Sequence, residues 1–202
     1  MFFLSLALTN DSSGQIRKTR SITFRIDAEV VDKLQTESDN HEITLNVLVN
    51  QVLRRYTDWD TYETKIGMMP VPKLLLVSLI EMAISIPQRE GLKDVERYRN
   101  EIIREAAKIA FKLMKESVLF MKNKYSLWVV LAVLEEYMKV SGVKSDHRVE
   151  AGSKHVFVIQ HDLGENWSLF TKELLAMIFE NLANLRPEIQ VTTNTVIASI
   201  VL

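Results

Sequence analysis

The sequence predicts an α+β protein in two parts. The first is a short β-α-α segment near the N-terminus. The second is a mainly helical C-terminal region ending in a β-β-α-β unit. Three observations carry this. Residues 21–26 alternate polar and apolar side chains with period two, which gives a strand two distinct faces. Residues 28–140 are dominated by apolar positions recurring every three to four residues, the helical period. After Val140 the character changes to two short β-rich runs around Ala151-Gly152-Ser153, a hairpin signal.

Each element has its own justification. Ser21-Ile22-Thr23-Phe24-Arg25-Ile26 is the alternating strand, and Asp27 after it is a good helix N-cap. A short helix with Val30, Val31 and Leu34 on one side follows, and its polar tail from Thr36 to Glu42 reads as a turn. Thr44 caps a second helix carrying Leu45, Leu48, Val49, Val52, Leu53 and Tyr56. Residues 57–72 hold an aromatic and acidic start, Gly67 and two prolines, and read as a connector. Pro72 opens a very apolar helix through about Ile86, which Pro87 to Gly91 ends. Long helices are expected over about 93–121 and 126–140. The hairpin strands are 144–150 and 154–160, a helix spans about 165–184, and 189–201 is a final strand or two short ones broken near Thr193-Asn194. The expected division is a tail at 1–15, an N-terminal domain at 16–59, a linker at 60–72 and a C-terminal domain at 73–202.

Composition narrows the function. The chain has 202 residues, 47% apolar, with a net charge of −1. That charge does not suit a protein coating nucleic acid non-specifically, so any DNA contact needs a local basic cluster. Cysteine is absent, which excludes disulfides, thiolate catalysis and cysteine-ligated metal centres. The apolar stretch Met1–Leu8 is too short for a membrane span of about 20 residues and lacks the early positive charge of a signal peptide. The expectation is a cytoplasmic protein with a tail or packing arm at its start and no membrane partner.

The basic cluster lies in Ile16-Arg17-Lys18-Thr19-Arg20, directly before the strand. The β-α-α segment is too small to fold alone: its strand edge has no partner and it buries too little apolar surface. A second copy supplies both needs. Two strands then pair antiparallel across a two-fold axis, Ile22, Phe24 and Ile26 face the shared core, and Ser21, Thr23 and Arg25 face outward. Such a two-stranded ribbon fits the DNA major groove.

At this level the run Arg20-Ser21-Ile22-Thr23-Phe24-Arg25-Ile26-Asp27 resembles the ribbon strand of Arc/MetJ/CopG-type ribbon-helix-helix repressors. The run Ile43 to Tyr56 is similar to that family's second helix. The resemblance covers about a fifth of the chain. It implies base reading by Ser21, Thr23 and Arg25, and phosphate binding by backbone groups at Thr44, Leu45 and Asn46. Arg17, Lys18 and Arg20 would add phosphate contacts. Two departures stand out. Many family members have glycine in the inter-helix turn, where this chain has Asn40-His41-Glu42. The helices also carry Asp27, Glu29, Asp32, Glu37, Asp39 and Glu42, so binding should depend strongly on salt and on the doubling of positive charge in a dimer.

The C-terminal region has no phosphate loop, nucleophile elbow or HExxH motif. Along a straight strand and its exit, His155 and His161 are about 20 Å apart, too far to share an ion. Asp162-Leu163-Gly164-Glu165 reads as a helix-capping turn, and Trp128 and Trp167 as core or interface residues. No catalytic, metal or cofactor site is expected. The leading reading is a homodimeric or higher-order DNA-binding transcriptional regulator whose C-terminal domain serves oligomerisation or a small-molecule effector. The alternative is an antitoxin-type autorepressor whose C-terminal domain binds a toxin partner. A third reading is an enzyme with the His161-Asp162 turn in a cleft.

Overall fold

The computed structural model describes residues 20–91 and 94–201, which form two compact units divided between Met68 and Met69. In the first unit, helix α1 spans Ala28–Asn40 and α2 spans Leu45–Arg55. A π-helical turn, Tyr56–Asp60, and a last helical turn, α3 (Thr61–Glu63), continue α2. The start of the expected connector is therefore helical, and Trp59 within it is 2% exposed.

Three differences from the sequence expectation have local causes. The expected strand at 21–26 has no regular secondary structure in the single chain. The partner foreseen for it is a second copy, and a strand without a ladder has nothing to hold its register. Secondly, α1 runs on to Asn40 through the polar tail expected as a turn. Pairs one turn apart support it: Lys33 with Glu29 at 2.6 Å, Gln35 with Asp39 at 2.8 Å and His41 with Glu37 at 3.0 Å. Ser38 is also buried and its hydroxyl donates to the Gln35 carbonyl at 2.8 Å. The turn is thus displaced, and Glu42 rather than Asn40 takes the left-handed conformation, at φ 54°. Finally, Asp27 sits at the α1 N-cap without a side-chain cap bond; its carbonyl accepts from Val30 and Val31.

The second unit contains α4 (Lys73–Arg89), α5 (Val95–Lys122), α6 (Leu127–Val140), β1 (Lys144–Glu150), β2 (Lys154–Gln160), α7 (Glu165–Ala183), β3 (Glu188–Val191) and β4 (Thr195–Val201). Pro87 lies inside the last turn of α4 instead of ending it. The end of the unit is β-β-α-β-β, because the final strand breaks at Thr192–Asn194 into a hairpin. All pairings are antiparallel, in the order β1-β2-β4-β3.

Residues opposite one another in a ladder share a face. Phe157 is opposite both His147 and Ala198, so His155, Phe157, Ile159, Val196, Ala198 and Ile200 line one side. Helices α6 and α7 cover that side, and α5 packs along α7. The core sits there: Phe179 and Ile178 of α7, Val118 of α5, Val130 of α6 and Val196 of β4 are fully buried, with Phe157 and Phe179 ring centroids 5.5 Å apart. Among the described residues no single helix is long and apolar enough to cross a membrane. Helices α5 and α6 reach that measure only as a pair, bent by 98°.

Candidate nucleic-acid interface

Ser21, Thr23 and Arg25 are exposed, and so are the residues between them. Ile22 is 70% and Phe24 60% exposed, and Ile26 follows the same pattern. The period-two segment therefore presents both of its side-chain sets to water within one chain. Arg20 is exposed as well, whereas Arg17 and Lys18 fall outside the described residues.

Thr44 begins α2 from an extended conformation, φ −76° and ψ 150°. Its Oγ1 accepts the Val47 N–H at 3.3 Å, and its carbonyl accepts the Leu48 N–H at 3.0 Å. The N–H groups of Leu45 and Asn46 precede the first full helical turn, where no intrahelical carbonyl is available. They point along the positive end of the helix dipole. No acidic residue stands in the first turn of α2. This end of the helix thus presents the Leu45 and Asn46 N–H groups without an intrahelical partner. One acid of α1 is charge-matched, Glu29 by Lys33, and Glu37 hydrogen-bonds the His41 ring. Helix α1, 13 residues and about 20 Å long, separates the two sets of predicted contact residues along the chain.

Among the described residues the second unit holds three polar clusters whose partners the sequence did not announce. In the first, His147 Nε2 lies 2.9 Å from His155 Nδ1, and the rings are stacked with centroids 5.2 Å apart. His147 also stacks on Phe157 at 4.2 Å, and Trp128 approaches both histidines. One neutral ring must donate to the other. Burial holds both pKa values below the ordinary histidine range, and for His147 the charge of His155 adds to this. No spacing rule could find this pair, since it depends on the hairpin register and on α6 closing over it.

The second cluster centres on His161. Its Nδ1 accepts the Leu163 N–H at 3.2 Å, and its Nε2 lies 2.9 Å from Ser168 Oγ. The Ser168 hydroxyl, fully buried, donates to the Thr193 carbonyl at 3.1 Å. The proton order follows from the acceptors: Nε2 carries the hydrogen and donates to Ser168. A serine beside a histidine here is a clamp, because the imidazole has no lone pair left to take the hydroxyl proton. Asp162 does not cap α7. It pairs with Lys73 Nζ at 3.0 Å, and this hydrogen bond lowers its carboxyl pKa. Gly164 takes the N-cap position, and its N–H donates to Asn194 Oδ1 at 3.1 Å.

In the third cluster, Asn166 ties three helices together. Its amide donates to Glu81 of α4 at 2.7 Å and accepts from Arg99 of α5 at 2.7 Å. Arg99 continues to Glu165 at 3.0 Å. On the open side of the sheet, Lys144, Asp146, Arg148, Val158 and Gln160 border a shallow depression of about 280 Å³, smaller than the usual ligand cleft of roughly 300–1,000 Å³.

No protein-family model matches the chain, and no curated protein matches it in sequence.

Proposed function

We propose that this protein is a cytoplasmic, dimeric, site-specific DNA-binding regulator that reads the major groove with a two-stranded ribbon built from residues 21–26 of two copies. One observation carries the reading. The first unit exposes Ile22, Phe24, Ile26, Val30, Val52 and Tyr56, while Leu48 and Trp59 are its buried apolar residues among those described. An unfinished apolar core beside an unpaired alternating segment is what a second copy completes. Pairing the segments turns Ile22, Phe24 and Ile26 inward and leaves Ser21, Thr23 and Arg25 on the outer face.

Arg25 has the forked donors for a bidentate guanine contact, and the start of α2 at Thr44, Leu45 and Asn46 holds a backbone phosphate. Arg17, Lys18 and Arg20 supply further phosphate contacts. The C-terminal unit has its own buried core. That supports an effector or oligomerisation role over the antitoxin reading, in which a toxin-binding tail is often disordered until bound.

The test is selection of bound sequences from random duplex DNA, followed by gel-shift titration. The expected result is a motif with regular half-site spacing. Arg25→Ala should weaken binding to it by about 1–3 kcal/mol, roughly 5- to 150-fold, and relax one base position. Retention of no duplex at low salt would sink the proposal.

A further inference from the structure

We propose that the His147–His155 pair is an acid-operated latch: its neutral form holds the Trp128 ring of α6 against the sheet, and its doubly protonated form lets that ring go. The latch is the middle of a column of rings. Centroid to centroid, Trp128 lies 5.1 Å from His155, His155 5.2 Å from His147, His147 4.2 Å from Phe157 and Phe157 5.5 Å from Phe179. Trp128 at the outer end is 36% exposed, and Phe179 at the inner end is fully buried. The two histidines are the titratable links of this column. Both are partly exposed, so protons reach them from water while the fold is intact.

The proton count follows from the geometry. The two rings lie within 13° of parallel, and His147 Nε2 meets His155 Nδ1 at 2.9 Å. One of these nitrogens therefore carries a hydrogen and the other a lone pair. The outer nitrogens, His147 Nδ1 and His155 Nε2, then also comprise one N–H and one lone pair. A first proton settles on that outer lone pair. It belongs to the donor ring, so the N–H···N bond gains charge assistance and stays. A second proton finds only the lone pair inside the bond. Taking it sets two N–H groups against each other, each on a cation, and the rings must part. The two steps are a property of the pair, and the break comes with the second.

The surroundings offer little to neutralise that second charge. For His147, burial opposes protonation most, His155 opposes it next, and Asp146 favours it. Asp146 lies on the open side of the sheet, with Lys154 and with Arg148 and Glu150, which pair at 3.1 Å. Strand β4 brings Ala198 and Ile200 alongside, and α7 brings Phe179. From α6 comes Trp128; the charged Glu135, Glu136 and Lys139 begin two turns further on. Among the described residues neither ring is hydrogen-bonded to a carboxylate. Leu127, Val130 and Leu131 are buried and keep α6 seated when Trp128 leaves. The change is local, unlike acid unfolding of the unit.

Nuclear magnetic resonance of the isotope-labelled, full-length protein tests this. Near neutral pH, a nitrogen–nitrogen coupling across the His147–His155 bond should be present. On acidification the ring signals of the pair, assigned with His147→Asn and His155→Gln, should show two resolved steps. The coupling should survive the first step and vanish at the second. The Trp128 indole signal, assigned with Trp128→Phe, should shift with the second step while far-UV circular dichroism is unchanged. In His155→Gln the remaining His147 should titrate in one step. The deciding signals are read on the unsubstituted protein, and through-bond correlations assign them where a variant does not fold.

Four results would each overturn the proposal. They are no coupling at neutral pH, a single step shared by both rings, movement of Trp128 with the first proton, and a Trp128 signal that stays in place until circular dichroism is lost.

Discussion

The two units differ in how much of their apolar surface a single chain can hide. The second unit closes on itself, with Phe179, Ile178, Val118, Val130 and Val196 fully buried between sheet and helices. Among the described residues, the first has Leu48 and Trp59 inside and a row of Ile, Phe, Val and Tyr side chains outside. Burial of one such side chain is worth about 1.5–3 kcal/mol, so the described part of the first unit holds much apolar surface whose burial would add stability. A four-stranded sheet provides an inner face for helices to land on; two short helices and an unpaired segment do not.

The sharpest way to break this comparison is to open the closed core. Phe179→Ala should cost the second unit about 3–5 kcal/mol, read as a lowered thermal midpoint of near-UV circular dichroism from Trp128 and Trp167. Trp59 fluorescence should report little change in the first unit. Equal loss at Trp59 would mean the units unfold together.

A smaller effect is expected from acid, again in the second unit. Burial lowers the pKa values of His147, His155 and His161 in the folded protein. The unfolded chain therefore binds more protons once pH drops below about 6.5. The histidines' contribution is fully present above that pH and is lost as pH falls through the lowered folded values. The thermal midpoint of the second unit should be lower at pH 5.5 than at pH 7.5, and His147→Asn should flatten this dependence. A midpoint that rises on acidification would contradict the burial of these rings.

The smallest effect is a gain in the first unit. Glu42 holds φ 54° with a side chain that disfavours it. Glu42→Gly should stabilise the α1–α2 turn by about 0.5–1 kcal/mol, after allowing for the entropy glycine loses, measured as a higher midpoint of Trp59 fluorescence.

The same contrast explains what could be read from sequence. Helical periodicity located α5, α6 and α7 to within a few residues, and the hairpin strands 144–150 and 154–160 end where their turn residues end them. Local chemistry was enough there. It failed where a distant group decides. Asp162 looks like a cap until Lys73, 89 residues away, takes it. His147 and His155 look unrelated until the ladder sets them side by side. Polarity over 36–42 suggested a turn, although side-chain pairs one helical turn apart keep most of it helical. For the nucleic-acid interface, Ser21, Thr23, Arg25 and Thr44 were legible as an ordered pattern. In one chain nothing holds the first three in register, because residues 20–27 have no regular secondary structure; in the proposed dimer the second copy would supply that register.

The sheet order has a consequence for how the protein is made. Strand β4, the last in sequence, lies inside the sheet, between β2 and β3. Until residues 195–201 leave the ribosome, β2 offers a bare edge on the nascent chain, and α7 lacks the Asn194 carboxamide that meets its first turn. The β1–β2 hairpin can form earlier, but the four-stranded sheet cannot be completed before β4 emerges. Until then the unpaired edge of β2 is open to pairing with the wrong chain.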